Sequence, residues 1–453
     1  MSKKNQIIKV KAEKIVFPGN VLCRCDDGIA LFCENLLPDE EAEVLVIKDK
    51  KTFREGRLQK ILLKSPSRLD PKCSAFGKCG GCSFQHSGYK NQIEYKTAYL
   101  KELLNFINIE IPDTEKSPSE WNYRNKMEFS FFNDNDILNL GLHCKGSFYK
   151  YSSVPPCYIA HEDILKAAET VKDFALKSNL KAYHNKSHEG FYRHLVLRKG
   201  VNTGDLLINI VTNKDENIGI NFWDELIKNL SSFSSSIYWT VNSRLSDAVN
   251  SDSTVLLYGK EDITEDLTVG NKTFHFSIAP FSFFQTNTKG TEVLYNKILE
   301  FLKPQKKDTL LDMYCGTGTI GICMAPHVKN VIAVEQSEDS IKSAKNNAQH
   351  NGIYNAEFFA STAEDWVKQN IINFSSIIID PPRMGLTQSV IDHLLFLNPE
   401  KIVYVSCNPS TLARDLKIIE ASGKYSIKKV SSVDMFPQTY HVETIVLLEG
   451  VKN

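Results

Sequence analysis

From Gln285 onward, short apolar runs rich in β-branched residues alternate with stretches of helical periodicity, and this constrains the fold more than any other feature. The runs are Thr309 to Tyr314, Asn330 to Glu335, Ala356 to Phe359, Ser376 to Asp380 and Lys401 to Ser406. Strands separated by helices return in the same direction, so the alternation predicts a parallel, doubly wound α/β sheet. Ligands of such sheets sit beyond the carboxyl ends of the strands, which makes the residues closing each run the candidate site.

The first run, Leu310-Leu311-Asp312-Met313-Tyr314, passes into Cys315-Gly316-Thr317-Gly318-Thr319 and a helix. Glycines there permit a tight turn and a close approach of ligand to backbone. Glu335 closes the next strand, where a carboxylate can bind two ribose hydroxyls. The bland alternative is a helix-start turn with an exposed acid beyond it. Two features favour S-adenosylmethionine (SAM) over NAD: the turn lacks the three-glycine dinucleotide spacing, and the fourth strand closes in Asp380-Pro381-Pro382-Arg383. The fifth closes in Ser406-Cys407-Asn408-Pro409, placing a thiol on the active rim. A lone cysteine is more often a small core residue. Here the following helix N-terminus and cations such as Arg383 are expected to favour its thiolate. Further on, Asp434 to Glu443 forms a polar loop with a carboxylate at the start of an apolar strand.

These blocks resemble class I SAM-dependent RNA methyltransferases, and those around Cys407 and Glu443 resemble the RNA uracil-5-methyltransferase family. The resemblance implies a Rossmann-like sheet and a covalent reaction. Cys407 would add to carbon 6 of a flipped-out uridine, and Glu443 would be the general base that removes the carbon-5 proton. It also implies Gln285, Tyr314, Glu335 and Asp380 as SAM-binding positions, with Thr319 and Thr362 beside them. His441 reads as a loop hydrogen-bonder.

Eleven cysteines in 453 residues, with no apolar leader, suggest a cytoplasmic protein whose clustered thiols serve metal or catalysis. Cys73, Cys79 and Cys82 are grouped as Cys-x5-Cys-Gly-Gly-Cys. Four thiolates would suit zinc as well as an iron-sulfur centre. With Ser83-Phe84-Gln85-His86 after it, the group resembles the iron-sulfur branch of the same family. That implies a [4Fe-4S] cluster on Cys73, Cys79, Cys82 and Cys157, with Cys144 as runner-up.

Ahead of the cysteines, short β-rich runs and turns from Ile7 to about Leu63 look like a small β-barrel. In that branch the barrel is an OB-like RNA-binding TRAM domain. The expected organisation is a barrel over 1–65, a cluster segment and central α+β domain over 66–284, and a catalytic domain over 285–453. The helix near 90–107 is expected to pack on the catalytic domain. Formal net charge is zero, so any nucleic-acid footprint must be local. Candidates are the basic run Lys48, Lys50, Lys51, Arg54, Arg57, Lys60, Lys64 and Arg68, the patch Trp121 to Lys126, and Arg193 to Arg198. An ordinary solvated surface explains each as well.

The expected function is formation of 5-methyluridine in RNA, with 23S rRNA as partner and neither a membrane nor an obligate protein partner implied. The alternatives are a tRNA T-loop uridine and a non-catalytic iron-sulfur RNA-binding protein. The competent residue types at 285, 335, 380, 407 and 443 speak against the last.

Overall fold

In the computed structural model, residues 2–153, 156–246, 249, 251–369 and 372–451 are described. The first five strands form one unit. They are β1 (Ile7–Val16), β2 (Asn20–Arg24), β3 (Ala30–Glu34), β4 (Glu41–Asp49) and β5 (Phe53–Leu63), closed into a barrel in the order β1-β2-β3-β5-β4. Strands β2, β3 and the first half of β4 bury every second side chain. Val10, Ala12, Val21, Cys23, Leu31, Cys33, Ala42, Val44 and Val46 fill it. The basic run is less basic in space than along the chain. Arg54, 3% exposed, is held by Asp27 and Asp49, Arg68 pairs with Glu40 and Lys48 with Glu55.

Helix α1 (Tyr89–Leu103) buries Gln92, Ile93, Lys96, Thr97 and Leu100, a helical stripe that is half polar. Its last turn and the following segment, through Leu104 and Ile111, join the core of the carboxyl-terminal sheet.

The central layer comprises β6 (Lys126–Asp134), β7 (Ile137–His143), β8 (Tyr151–Ser153), α2 (Glu162–Lys177), β9 (Tyr192–Lys199), β10 (Leu206–Thr212), α3 (Asp224–Leu230), β11 (Ser236–Val241) and β12 (Ser253–Gly259). The strand order is β12-β11-β10-β9-β6-β7-β8, and α2 and α3 pack on it in an α+β arrangement. Every residue of β9 is buried. Arg193 is 2% exposed and donates to the carbonyls of Asn242, Arg244 and Ser246, and Arg198 is 5% exposed and donates to those of Pro280 and Ser282. The expectation that Arg193 to Arg198 meets RNA is therefore corrected: these guanidiniums are enclosed by backbone acceptors.

The hairpin β13 (Ile263–Val269) and β14 (Lys272–Ile278) leads into α4 (Thr288–Leu302) and the second seven-stranded sheet. The remaining elements are β15 (Thr309–Met313), α5 (Thr319–Met324), β16 (Asn330–Glu335), α6 (Glu338–His350), β17 (Ala356–Ala360), α7 (Ala363–Gln369), β18 (Ser376–Ile379), α8 (Gln388–Leu397), β19 (Lys401–Ser406), α9 (Pro409–Ala421), β20 (Tyr425–Val433) and β21 (Glu443–Gly450). The order is β17-β16-β15-β18-β19-β21-β20. Strands β15 to β19 are parallel, and β21 runs antiparallel to both β19 and β20. The central strands β15, β18 and β19 are buried on both faces, and successive side chains alternate between them. Leu310, Ile378 and Val403 face the hairpin and α4, while Leu311, Ile377 and Ile402 face α7, α8 and α9. The order in which strands are added reverses between the parallel neighbours β15 and β18, and the loops leaving them diverge, which opens a crevice at that point. Among the described residues no helix is long and apolar enough to cross a membrane.

Candidate active site

A cavity of about 1020 Å³ lies over the carboxyl ends of the parallel strands. Gln285, Tyr314, Thr319, Glu335, Thr362, Asp380, Cys407 and Glu443 all line it. The topology explains the convergence. Tyr314 and Asp380 follow the neighbouring strands β15 and β18, Glu335 ends β16, Thr362 follows β17 and Cys407 follows β19.

Glu443 arrives from the opposite direction. Ser406 and Thr444 are partners in the antiparallel β19–β21 ladder, so Cys407 and Glu443 stand one step further along the two strands, across from each other. Opposed side chains in such a ladder are about 5 Å apart at their Cβ atoms. The loops beneath them are tied together, with Asn408 Nδ2 donating to the Arg383 carbonyl at 2.9 Å and Thr411 Oγ1 to the same oxygen at 3.2 Å.

Positive φ at Tyr314 (63°), Gly316 (54°) and Gly318 (76°) folds the turn after β15 back on itself. At Gly318 a Cβ would lie 2.9 Å from both Ala344 and Phe358, so glycine is required for space as well as for φ. The hydroxyls of the two threonines already have partners. Thr319 Oγ1 lies 2.6 Å from the Tyr295 hydroxyl, and Thr362 Oγ1 bonds Asp365 through both side chain and backbone. Glu335 Oε1 accepts from Ser337 N at 3.0 Å. The Gln285 carbonyl accepts from Asn125 Nδ2 at 3.0 Å.

A model of the tRNA (uracil-5-)-methyltransferase family matches residues 88–451. An uncharacterized RNA methyltransferase of Caldanaerobacter subterraneus subsp. tengcongensis is 40% identical over 452 residues, covering 98% of this chain and 99% of its own. One from Clostridium tetani is 37% identical over 451 residues, 98% of each chain. The chain belongs to the tRNA (uracil-5-)-methyltransferase family. Among solved structures, the Pyrococcus abyssi tRNA (uracil-54, C5)-methyltransferase in complex with S-adenosyl-L-homocysteine superposes with a TM-score of 0.76 at 28% identity, covering 97% of this chain and all of its own. The fold is that of a SAM-dependent methyltransferase with a closed amino-terminal barrel, and family membership makes the chain an RNA uracil-5-methyltransferase.

In this family member the electrostatics of the rim depart from one expectation. Burial pushes the Cys407 thiol up to about 11, and Glu443 and Asp380 add to the shift while Arg383 opposes it. The prediction of a favoured thiolate is corrected: the cation is present, but burial and two acids outweigh it. Burial likewise raises Glu443 to about 8, with Asp380 adding and Arg383 opposing. Asp380 itself is raised by burial to about 7. His441, also on the cavity wall, is pushed down to about 4, first by burial and then by Arg383.

The cysteine segment lies beside the same cavity, since Gly80 and Gly81 form part of its lip. Cys73, Cys79 and Cys157 are buried and Cys82 is partly so. The Cys79 thiol is raised to about 11, by burial first and then by Cys157, Cys73 and Cys144; Cys82 is raised to about 12, by burial first and then by Cys157, Cys79 and Cys73. Cys79 and Cys144 are also joined by an antiparallel backbone bridge. Gly81 N donates to Cys79 Sγ at 3.3 Å. Among the described residues no three His, Cys, Asp or Glu side chains are drawn together tightly enough to hold a metal ion.

Several cavity residues lie outside the set expected from sequence. Phe283, 63% exposed, Phe436 and Thr439 line the cavity; Arg124, from the Trp121 to Lys126 patch already named as a candidate RNA contact, lines it as well. Loop 434–442 carries Phe436, Thr439 and His441 and is fixed by α1. Lys96 Nζ meets Asp434 Oδ1 at 2.6 Å, the pair being 2% and 0% exposed. Gln92 Nε2 donates to Gln438 Oε1, and Gln92 Oε1 accepts from Gln438 N, each at 2.9 Å. A lysine and a glutamine one turn apart on the apolar stripe of a helix are the sequence signal for this clamp.

Proposed function

We propose that this chain forms 5-methyluridine in 23S ribosomal RNA, with Cys407 as nucleophile and Glu443 as general base. The observation carrying the chemistry is the placement of these two residues across adjacent antiparallel strands, above one cavity that also holds Glu335 and Asp380; the choice of 23S RNA rests on the barrel and the cysteine group, which resemble those of the ribosomal branch. Carbon 5 of uracil is a weak nucleophile. Cys407 gives up its thiol proton to solvent, and the resulting thiolate adds at carbon 6, moving the ring electrons toward carbon 5 and the carbonyl at carbon 4. Bound SAM supplies the electrophilic methyl, which carbon 5 takes as the sulfonium–methyl bond breaks. The Glu443 carboxylate then accepts the carbon-5 proton, the ring electrons return, and the sulfur–carbon bond breaks to free Cys407. Glu335 would take the ribose hydroxyls, with Gln285, Tyr314 and Asp380 around the rest of the cofactor. Thr319 and Thr362 complete that wall. A paired or stacked uridine exposes no face to the thiol, so the base must enter extruded.

Cys73, Cys79, Cys82 and Cys157 are proposed to hold a [4Fe-4S] cluster in a structural role; the support is the Cys-x5-Cys-Gly-Gly-Cys spacing in the sequence, and their side chains would have to draw closer together around it. Anaerobically purified protein should be brown with about four irons per chain. A colourless preparation with stoichiometric zinc would sink that assignment. The second reading, a tRNA T-loop uridine, is favoured by the likeness to the Pyrococcus abyssi enzyme, whose name specifies tRNA uracil-54. Mass spectrometry of digested ribosomal and transfer RNA from a strain lacking this chain separates the two.

The mechanism is tested by Glu443→Gln, which keeps shape and removes basicity. Methylated RNA should stay joined to Cys407 and migrate as a slow band on a denaturing gel, requiring both RNA and SAM. Release of 5-methyluridine at the wild-type rate without that band would assign the proton to another acceptor.

A further inference from the structure

Beside Cys144 lies a second hollow, of about 550 Å³, lined by none of the residues assigned to the reaction. It is walled by Phe132, Tyr149, Lys150, Tyr151, His184 and Lys186. Phe132 and Tyr151 stack at 5.4 Å with their planes 20° apart. Tyr149 is 66% exposed, and Lys186 Nζ lies 5.5 Å from the centre of its ring. The neighbouring Phe148 is 83% exposed. Large exposed rings are costly to leave in water unless something covers them.

The charges around the hollow point to the occupant. Lys145 pairs with Glu34 and Lys181 with Asp136. Among the described residues neither Lys150 nor Lys186 has an acidic partner. One acid, Asp134, also lines the hollow. Exposed ring faces interleaved with unneutralised cations bind strands whose bases are unstacked, with rings taking bases and lysines taking phosphates.

The hollow is also joined to the catalytic cavity. Gly80, on the cavity lip, donates its N–H to the His143 carbonyl at 3.0 Å, and Lys145 N donates to the Lys78 carbonyl at 2.8 Å. The ribbon of residues 78–81 and 143–145 therefore has the cavity on one side and leads directly into the loop bearing Tyr149 on the other. We propose that this hollow is a second RNA site, which stacks single-stranded nucleotides flanking the target uridine as the strand crosses the Gly80-Gly81 lip. The proposal rests on the RNA uracil-5-methylation reading.

The test uses the full-length protein with Tyr149→Ala and Lys186→Ala combined, both side chains being exposed. The probe is a fluorescein-labelled, unstructured 20-nucleotide RNA followed by anisotropy. Losing a base stack and a phosphate contact should raise its Kd about tenfold or more. SAM affinity by calorimetry should not change, and with RNA stripped of 5-methyluridine as substrate KM should rise while kcat holds. In the wild type, 4-thiouridine placed in the probe should crosslink to peptides spanning 143–151 or 183–186. An RNA Kd within twofold of wild type, or crosslinks confined to the catalytic cavity, would overturn the proposal. Failure of the uridine reading is a separate result, namely Cys407→Ala methylating RNA at the wild-type rate.

Discussion

One wall of the catalytic cavity is made by the sheet that bears it, whereas the facing wall, loop 434–442, is held by α1 through contacts 338 and 346 residues apart in sequence. On the sheet wall, Tyr314, Glu335, Asp380 and Cys407 are placed by strand register, and short local bonds finish the loops. The facing wall has local bonds as well, such as Phe436 N to Asp434 Oδ1 at 3.1 Å and Thr439 Oγ1 to the Phe436 carbonyl at 2.8 Å, but its anchors to the rest of the chain come from far away in sequence. Asp434 is fixed by Lys96, and the carbonyl of Gln438 accepts from Ser83 N at 2.8 Å and Phe84 N at 3.0 Å. Tyr123 adds a bond from its hydroxyl to the Pro437 carbonyl at 2.9 Å. The two walls should therefore fail differently: damage to the first removes chemistry or cofactor, while damage to the second misplaces one side of a cavity that still binds cofactor.

The largest effect expected is on the sheet wall. Cys407→Ala should lower turnover by about 10⁴-fold or more, the scale at which enzymes lose a covalent nucleophile. SAM affinity should remain, because in the proposed reaction the thiol acts on the uracil and not on the cofactor. A turnover assay paired with calorimetry checks both. Parallel loss of SAM binding would mean that Cys407 shapes the wall as a whole.

On the facing wall the largest effect should come from Lys96→Met, which leaves Asp434 buried without its cation. Breaking a buried pair from one side costs about 3–5 kcal/mol. Asp434 Oδ2 already lacks a hydrogen-bond partner, so the loop has little to fall back on. Replacing both, Lys96→Met with Asp434→Leu, should recover much of the loss, since no charge is then stranded. Denaturant titration of the two variants distinguishes a needed pair from a merely tolerated one.

The same contrast explains what was legible in the sequence. Alternating strands and helices imply the sheet, and the residues ending each strand then fall on one rim. That is why Glu335, Asp380 and Cys407 could be named before any geometry was known. The clamp on loop 434–442 has no period and no motif, only Gln92 and Lys96 on a stripe otherwise read as apolar. Arg193 and Arg198 misled for the complementary reason. Charge along a strand does not reveal whether carbonyls from elsewhere will enclose it. The Cys407 thiolate was misjudged because the burying atoms and the opposing acids come from other strands.

Glu443 gives a pH test that bridges the walls, because it stands where loop 434–442 meets the sheet. Its folded value is raised to about 8, so its contribution to stability is complete below the ordinary carboxyl range and is lost as pH rises through about 8. Wild type should lose more stability between pH 6 and pH 9 than Glu443→Gln does, by about 1–3 kcal/mol. Thermal unfolding at the two pH values measures this. Equal pH sensitivity would indicate an ordinary, solvated carboxyl.

The smallest effect expected, and the sharpest for the comparison, is that of Gln92→Ala. Its amide makes two bonds to Gln438, and Gln438 holds a left-handed φ of 69° without being glycine. A side chain in that region costs on the order of 1 kcal/mol and persists only where neighbours fix it. Removing the Gln92 amide should cost about 1–2 kcal/mol and loosen the loop that carries Thr439 and His441. Turnover should fall about three- to tenfold, while SAM affinity, which the proposed function assigns to the opposite wall, should stay constant. Gln438→Gly loses the same side-chain bond but relieves the backbone, so it should be milder than Gln438→Ala by about 1 kcal/mol. A fall in SAM affinity matching the fall in turnover would show that the walls move as one body, and the distinction between them would then have no functional meaning.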